Sequence, residues 1–338
     1  QAETTLRDAA RVAGMGKDAL WAGRALSLLV YIVGGLQQRN TEALVLAADA
    51  EILLDLGGGD DEDKGNLCNN LGLILSNLNR YDEAMDKFEK AMALDVNHLG
   101  PDHPNVGQDL GNMGLILRDR GAFHRSRAYL ERALDIFRKS LGPTHPDIAY
   151  SYGNLGLVTQ DLRDYDQART YFQKALEILE KLYGKEHPDV AWCLTNLGFL
   201  SLQLGAYDRA QRSFERALSI VRSRYGPGHP DVGRNLLGLA GVQRARGAFD
   251  EAEHSLRRTL EICEQATGPE HLSVGEASAE LGMVQLEQGR LVEARASFER
   301  SLRIAKKVLG PDNRGLAPGL FGPHRIHGLH EAVFQGDH

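Results

Sequence analysis

Four asparagines that stand at one phase of the chain are its most informative polar feature. Asn70, Asn112, Asn154 and Asn196 follow one another at intervals of 42 residues. A side-chain amide offers both a donor and an acceptor, so it can pair with the backbone of an extended peptide whatever that peptide's side chains are. The alternative is that these four amides hydrogen-bond neighbouring helices of the same chain.

Residues at constant distances from the four asparagines predict the floor of a binding surface. Tyr150 and Trp192 stand four residues before an asparagine, and large aromatic side chains dominate the energetics of many protein interfaces. Apolar side chains stand three residues after the asparagines: Leu115, Leu157 and Phe199. Arg118 and Arg234 lie at or beyond the edge of this series. The pattern therefore indicates a neutral, apolar floor with positive margins, although Tyr150 and Trp192 can equally well fill core space.

Five histidines also share one phase, which raises the question of a metal site: His103, His145, His187, His229 and His271. Helices pack at roughly 8 to 10 Å, so equivalent residues of adjacent repeats cannot share an ion whose histidine ligands lie at about 2.1 Å. We expect each imidazole to bond a nearby backbone group instead. Near the end of the chain, His324, His327 and His330 are spaced by three, but Pro323 and the neighbouring glycines oppose the helix that would gather them. We predict no metal site and no cofactor.

Motifs that signal catalysis are weak or missing in the sequence. The segment Gly14-Met15-Gly16-Lys17-Asp18 lacks the upstream glycine and the following Ser or Thr of a phosphate-binding loop. There is neither a G-x-S-x-G nor an H-E-x-x-H motif. We expect no enzyme activity from this chain, and because it begins with Gln1, we expect it to be a piece of a longer protein whose upstream part carries any catalytic domain.

Composition restricts the partners and the compartment of the protein. The 338 residues carry a net charge of −7 without a basic block, which is poorly suited to neutralising phosphates, so nucleic acid is not expected as a partner. The three cysteines are far apart and include no C-x-x-C pair, a pattern that favours a reducing cytoplasm. The longest apolar run, Leu26 to Val33, is too short to span a bilayer, so no membrane partner is expected.

The elements that position these residues repeat with the same period of 42. A glycine followed three residues later by a histidine occurs at Gly100, Gly142, Gly184, Gly226 and Gly268, and a proline follows the histidine in all but the last of these segments. Glycine closes a helix in a conformation with positive φ, and the proline that follows the histidine suits the first turn of the next helix. Between these segments, Ala168, Phe172 and Ala175 illustrate a second stripe with helical spacing. Each unit is therefore predicted to be two amphipathic helices, A and B, in which Gly72 and its equivalents let helix B approach helix A beside Ala84.

The combined period and motif resemble the tetratricopeptide repeat, specifically the 42-residue variety of kinesin light chains and of sensor arrays in bacterial signalling NTPases. Gly156, Tyr165, Ala168, Phe172 and Ala175 match the small and aromatic positions of that family. The resemblance implies an all-α, right-handed superhelix of stacked hairpins. It also implies that the asparagines on helix A face a concave groove that binds a peptide.

The predicted organisation has three parts. Residues 1–59 hold an N-terminal helix, Glu3 to Val12, that Gly14 is expected to stop, and a degenerate unit. Residues 60–310 hold six repeats, and residues 311–338 form a non-periodic tail that is a cap or disordered. We expect a protein-binding or peptide-binding module that acts as the sensor or adaptor part of a signalling protein. The alternative is a scaffold that self-associates without a peptide ligand.

Overall fold

Proline and glycine divide the chain into helices of nearly constant length. The computed structural model describes residues 2–37 and 39–309, and no strand occurs in that part of the chain. The first helix of each complete hairpin, helix A, is α4 (Asp61–Asn77), α6 (Pro104–Asp119), α8 (Pro146–Asp161), α10 (Pro188–Gln203), α12 (Pro230–Ala245) or α14 (Leu272–Glu287). The second, helix B, is α5 (Tyr81–Leu99), α7 (Phe123–Leu141), α9 (Tyr165–Tyr183), α11 (Tyr207–Tyr225), α13 (Phe249–Thr267) or α15 (Leu291–Leu309).

Hairpins join through a short segment whose residues act as predicted. Gly100 ends α5 with a φ of +91°, a left-handed value that costs glycine nothing and strains other residues. His103 is the N-cap of α6, and its Nδ1 accepts a hydrogen bond from the backbone N–H of Asn105 at 3.3 Å. Pro104 follows at the first helical position, where its missing N–H has no intrahelical partner to lose. The other four phased histidines cap their helices in the same way: His145, His187, His229 and His271. The predicted backbone role of these imidazoles is confirmed.

The close approach of the two helices in a hairpin depends on the glycine of helix A, and an aromatic ring of helix B occupies the space that this glycine leaves. A Cβ placed on Gly72 would stand 2.7 Å from the Phe88 ring, and Gly156 faces Phe172 in the same way at 2.6 Å. The glycine therefore makes room for the aromatic ring one turn further along helix B. The small residue of helix B also faces the glycine in the second repeat, where Ser126, at the register of Ala84, donates through Oγ to the carbonyl oxygen of Gly114 at 2.7 Å.

The chain divides inside α9 into two compact units, Gln1–Ile178 and Leu179–His338. In the first unit the consecutive helices from α4 to α8 pack against one another, and in the second unit the consecutive helices from α10 to α15 do so. The predicted all-α solenoid of stacked hairpins is confirmed. The predicted part boundaries at residues 59 and 310 stay predictions, and the tail 311–338 with its three histidines lies outside the described residues.

The N-terminal region departs from the sequence prediction in two respects. Helix α1 (Ala2–Met15) runs through Gly14 rather than stopping before it, and α2 (Ala19–Val30) begins soon afterwards. Helix α2 continues into a π-helical stretch, Tyr31–Leu36, and α3 (Asn40–Gly57) completes the hairpin. The prediction that no apolar segment reaches membrane-spanning length was wrong, because the helical residues Ala19–Leu36 number 18 with a mean hydropathy of 1.6. Small residues and a single arginine interrupt the apolar run without ending the helix.

Burial explains why this apolar stretch is helical in the first hairpin. Leu29, Val30 and Val33 are fully buried against alanines of α3 and apolar residues of α4. The stretch thus supplies the core that joins α2, α3 and α4. About half of it remains outside that core, since 44% of the window is buried.

Candidate binding face on the A helices

Each unit presents a surface made by its A helices, and we call this surface the A-face. In the first unit α4 contacts α6 and α6 contacts α8, and in the second unit α10 contacts α12 and α12 contacts α14. Contacts between alternate helices require the A helices to lie close together, so their outward residues form a continuous strip within each unit. The predicted site residues belong to these A helices.

The three asparagines of the first unit share a register but differ in their partners. Asn70 is half-buried, and its Nδ2 donates to the carbonyl oxygen of Ser27 on α2 at 3.2 Å. Because a carbonyl accepts only, this contact fixes the amide orientation and engages the donor inside the stack. Asn112 keeps a buried Nδ2 that has no hydrogen-bond partner among the described residues. Asn154 is half-buried, and its amide forms no hydrogen bond within residues 2–37 and 39–309.

The fourth asparagine lies in a cluster on the A-face of the second unit. Asn196 is buried, and its Oδ1 accepts a long hydrogen bond of 3.4 Å from Nη2 of Arg234 on the next A helix. Arginine only donates, so the other amide atom is the nitrogen, and this Nδ2 is buried without a partner in the described chain. The Arg234 guanidinium also lies 5.8 Å from the ring centroid of Phe199. The structure therefore brings together Asn196, Phe199 and Arg234.

The predicted apolar floor is half-buried rather than fully exposed. Leu115 and Leu157 lie half-buried one turn beyond Asn112 and Asn154. Phe199 is also half-buried, and its ring packs edge-on against Phe214 with centroids 4.9 Å apart. Phe199 therefore contributes to the core through its ring contact, and all three side chains keep part of their surface accessible.

The two predicted aromatic anchors lie in different units. Tyr150 on α8 is exposed, with 37% of its surface accessible. Trp192 on α10 is half-buried. Tyr150 is thus placed on the surface, whereas the burial of Trp192 fits both a core role and a surface role.

Arg118, predicted at the edge of the site, is engaged in the stack of the first unit. Its Nε lies 2.5 Å from Oδ2 of Asp161, and each side chain is 28% exposed. Arg244 makes an equivalent ion pair with Glu287 at 2.6 Å in the second unit. Both pairs span 43 residues and link consecutive A helices. The signal in the sequence was an arginine followed 43 residues later by an acid, and sequence reasoning missed it.

Two polar links between A helices were also missed by sequence reasoning. Asn69 Nδ2 donates to Oδ1 of Asp109 at 2.5 Å, and Thr195 Oγ1 donates to Oδ1 of Asn235 at 2.9 Å. Asp109 and Asn235 are both buried. Asp109 and Asn235 stand at equivalent positions of repeats that are three periods apart. A polar residue at this position of helix A was the feature of the sequence that could have predicted the link.

Metal-binding geometry does not occur in the described part of the chain, where no group of three or more His, Cys, Asp or Glu side chains is able to hold an ion. The cysteines Cys68, Cys193 and Cys263 are buried free thiols. Burial raises the pKa of all three thiols, that of Cys193 to about 12, so none is a reactive thiolate at neutral pH.

Known structures share this architecture. BtubC (BKLC) from P. vanneervenii is 23% identical, with a TM-score of 0.52 over 70% of this chain and 91% of its own. The Rap conjugation gene regulator of plasmid pLS20, solved with the Phr* peptide, is 15% identical, with a TM-score of 0.67 over 88% of this chain and 77% of its own. A Rap protein solved with Competence and Sporulation Factor is 17% identical, with a TM-score of 0.59 over 84% of this chain and 76% of its own. At these identities the likeness shows the fold alone.

Sequence comparison places the repeats in a family. No curated protein matches the chain significantly. The tetratricopeptide repeat family model matches at residues 63–139, 110–162, 147–223, 195–265 and 234–307. These overlapping matches span most of the chain and follow the hairpins seen in the structure. The chain belongs to the tetratricopeptide repeat family.

Proposed function

We propose that this protein is a non-catalytic binding module that captures an extended segment of another protein on its A-face. The observation that carries the proposal is the set of amides without an internal acceptor at one register. The N–H groups of Asn112 and Asn196 are buried without a partner in the described chain, and the Asn154 amide forms no hydrogen bond there. An unsatisfied buried donor costs about 1–3 kcal/mol, and a ligand carbonyl removes that cost once rotation of the asparagine side chain brings its N–H groups to the surface.

The neighbours of the asparagines suit an extended peptide. Leu115 and Leu157 offer apolar contact beside the amides of the first unit, and Tyr150 offers an exposed aromatic surface on the same helix as Asn154. In an extended peptide, backbone groups give affinity while alternate side chains enter pockets. The asparagine amides would bind the peptide backbone, and the apolar residues beside them would contact its side chains.

The second unit supplies a more selective surface. Arg234 is exposed, it contacts Asn196 and Phe199, and no described carboxylate lies within salt-bridge distance of it. Trp192 stands one turn before Asn196 on α10. We propose that this cluster orients a segment bound on the A-face of the second unit, because a fixed guanidinium beside an aromatic ring gives the strip of that unit a polar end.

Two structural neighbours lend support to this proposal. The Rap regulator of plasmid pLS20 was solved in complex with the Phr* peptide, and another Rap protein was solved with Competence and Sporulation Factor. Those proteins share the fold of this chain. We further propose that the module works in the cytoplasm as the sensor or adaptor part of a signalling protein, a role that rests on the family resemblance.

The test is selection of peptides from a random display library on the full chain, followed by calorimetric titration of the best peptide. Asn154→Ala is expected to weaken binding at least about tenfold, or about 1.4 kcal/mol, with little change in melting temperature. Asn70→Ala is the matched control. Its amide donor is already engaged by Ser27, so this variant is expected to lose stability and keep its affinity.

Two results would contradict the proposal. One is failure of the library to yield any peptide that binds the full chain. The other is equal affinity of the wild-type protein, Asn154→Ala and Asn112→Ala for the selected peptide.

One observation favours a second function, assembly of copies of the chain. Val45, Ile52 and Leu56 are 59–75% exposed along one side of α3. The corresponding residues of α5, which stand 41 positions later, are Asp86, Ala93 and Asn97. Self-association through α3 predicts a sedimentation coefficient that rises with concentration and no longer does so in Ile52→Glu. A monomer at every concentration would exclude this assembly.

A further inference from the structure

Two buried carboxylates meet where α4, α5 and α6 join, and the proposed binding role uses neither. Asp95 on α5 is 4% exposed and Asp109 on α6 is fully buried. Acidic residues are almost never fully buried unless they are paired with a cation, and no lysine or arginine is among the described groups that act on Asp95 or Asp109. Their burial calls for a physical explanation.

Both side chains approach the same turn of α4. Asp109 Oδ1 accepts from Nδ2 of Asn69 at 2.5 Å, and its Oδ2 has no partner among the described residues. Asp95 is hydrogen-bonded by the Asn105 side chain, whereas its Oδ1 is buried without a described partner. A Cβ on Gly65 would stand 3.0 Å from that Oδ1, so the glycine leaves room for the carboxyl group.

Equivalent positions in the other repeats show that the packing does not need these charges. The register of Asp95 is apolar elsewhere: Phe137, Leu179, Val221, Cys263 and Ala305. The register of Asp109 is neutral elsewhere: Leu67, Ser151, Cys193, Asn235 and Ala277. Thr195 and Asn235 make the same link between A helices at 2.9 Å with no ionisable group. The acids are therefore a local addition to a junction that is neutral in the second unit.

Burial raises the pKa of both carboxyl groups. Desolvation raises the pKa of Asp109 to about 7, and the nearby Asp95 adds to this shift, while the hydrogen bond from Asn69 opposes it. Desolvation also raises the pKa of Asp95 against its bond from Asn105. The ionisable groups that face the pair are Glu62 and Cys68 on α4, His98 on α5 and His103 at the start of α6.

We propose that Asp95 and Asp109 make the junction of α4, α5 and α6 a proton-dependent contact, packed while the pair holds a proton and loosened when both carboxylates are ionised. Each carboxyl group keeps one buried oxygen without a described partner, and no described lysine or arginine pairs with either group. An unfolded or opened chain releases its protons near the ordinary aspartate pKa of 3.8, before the packed junction does. Stability of the junction therefore falls as the pH rises from about 4 to about 7 and is level above that range.

This inference stands independently of the proposed peptide binding, yet it affects the same face. Asn69 is adjacent to Asn70 on α4, and Asp109 lies three residues before Asn112 on α6. Loosening of the junction would separate two members of the asparagine register in the first unit. The A-face of the second unit, with Thr195 and Asn235, would keep its packing at every neutral or acidic pH.

Amide hydrogen exchange of the full chain, corrected for intrinsic rates, tests the proposal between about pH 5 and about pH 8. The opening constant of α4–α6 amides in the wild type is expected to rise by up to about tenfold per pH unit below pH 7. Asp109→Asn is expected to remove most of this dependence. Asp95→Val, which copies Val221, removes the other charge but leaves Asp109 desolvated, so this variant is expected to reduce the pH dependence only in part. Asn235→Asp is expected to create a pH dependence in α10–α12.

Asp135→Asn is the matched control, because it makes the same change on an exposed part of α7. It is expected to leave the α4–α6 profile unchanged. An unaltered pH slope in Asp109→Asn and Asp95→Val would overturn the proposal. So would a uniform loss of protection in both variants at every pH, since that result would make the two residues ordinary structural acceptors.

Discussion

Replacing Gly156 by alanine probes how the two helices of a hairpin hold together. A Cβ at this position would stand 2.6 Å from Cε1 and 2.7 Å from Cδ1 of Phe172, whose ring is fully buried. Favourable carbon contacts are about 3.5–4.0 Å, so the ring or its helix must move by roughly 1 Å. The ring is rigid and enclosed, so it cannot rotate out of the way as a flexible side chain would.

The magnitude follows from two opposing effects. Overpacking of a core costs about 1–3 kcal/mol, and replacing a helical glycine by alanine gains about 0.5–1 kcal/mol. We therefore expect Gly156→Ala to lower the free energy of unfolding by about 1–2 kcal/mol. Gly111 on α6 is the matched control, because a Cβ there meets nothing within 4 Å. Gly111→Ala is expected to stabilise the protein by about 0.5–1 kcal/mol.

The chain itself provides the compensating change. In the fifth repeat, Ala240 occupies the register of Gly156, and Leu256 occupies that of Phe172; both lie in one buried cluster. Phe172→Leu should therefore rescue Gly156→Ala. The double variant is expected to lose at least about 1 kcal/mol less than the sum of the single losses.

Urea denaturation followed by circular dichroism measures all four variants. The reasoning is refuted if Gly156→Ala stabilises the protein as much as Gly111→Ala does, or if the losses from Gly156→Ala and Phe172→Leu add without coupling. Either result would mean that the hairpin crossing tolerates a methyl group beside the ring.

Two further predictions concern the helix ends. His187→Ala is expected to cost about 1 kcal/mol, because it removes the acceptor for the backbone N–H of Asp189 at the start of α10, whereas His187→Asn keeps a capping acceptor and should cost less. Equal denaturation midpoints for the two variants would contradict this role. Arg163 has a φ of +63° at a turn where Gly205 has a φ of +71° in the next repeat, so Arg163→Gly is expected to stabilise the protein by about 1 kcal/mol in the same assay. Gly205→Arg should shift the midpoint in the opposite direction, and a gain from that change would exclude backbone strain as the cause.

Local features of the repeats could be predicted from sequence because each one acts within a few residues. Gly100 closes α5, Pro104 opens α6, and His103 between them accepts a backbone N–H two residues away. Such contacts depend on the residue type and the next turn of chain, and the period of 42 residues displays each one several times. The family, the hairpins and the cap role of the histidines follow from this repetition.

The candidate site was only partly predictable for the same reason. The period of 42 residues placed Asn70, Asn112 and Asn196 at equivalent positions of their A helices. The hydrogen-bond partners of Asn70 and Asn196, however, come from other helices. Asn70 is engaged by Ser27 of α2, and Asn196 is engaged by Arg234 of α12. Nothing in the local sequence of an asparagine reveals which neighbouring helix will supply a carbonyl or a guanidinium.

The N-terminal hairpin shows where periodic reasoning stops. Its repeat is degenerate, and the π-helical stretch Tyr31–Leu36 shifts the register of α2. Gly34 within that stretch allows the approach of Ile74, since a Cβ there would stand 2.6 Å from the isoleucine side chain. The shape of the α4 surface, rather than the pattern of α2, decides this irregularity.

By itself, the sequence determined that this protein is a stack of helical hairpins, where each hairpin begins and ends, and which residues share a register. Only the tertiary structure decided which amides remain without acceptors and which, like Asn70, are engaged within the stack. It alone placed Asp95 and Asp109 together in a buried junction. The physical reason is distance along the chain. Caps and turns form between near neighbours, whereas burial, orphaned polar atoms and raised pKa values arise from contacts about 40 residues apart, which exist only after the hairpins have packed.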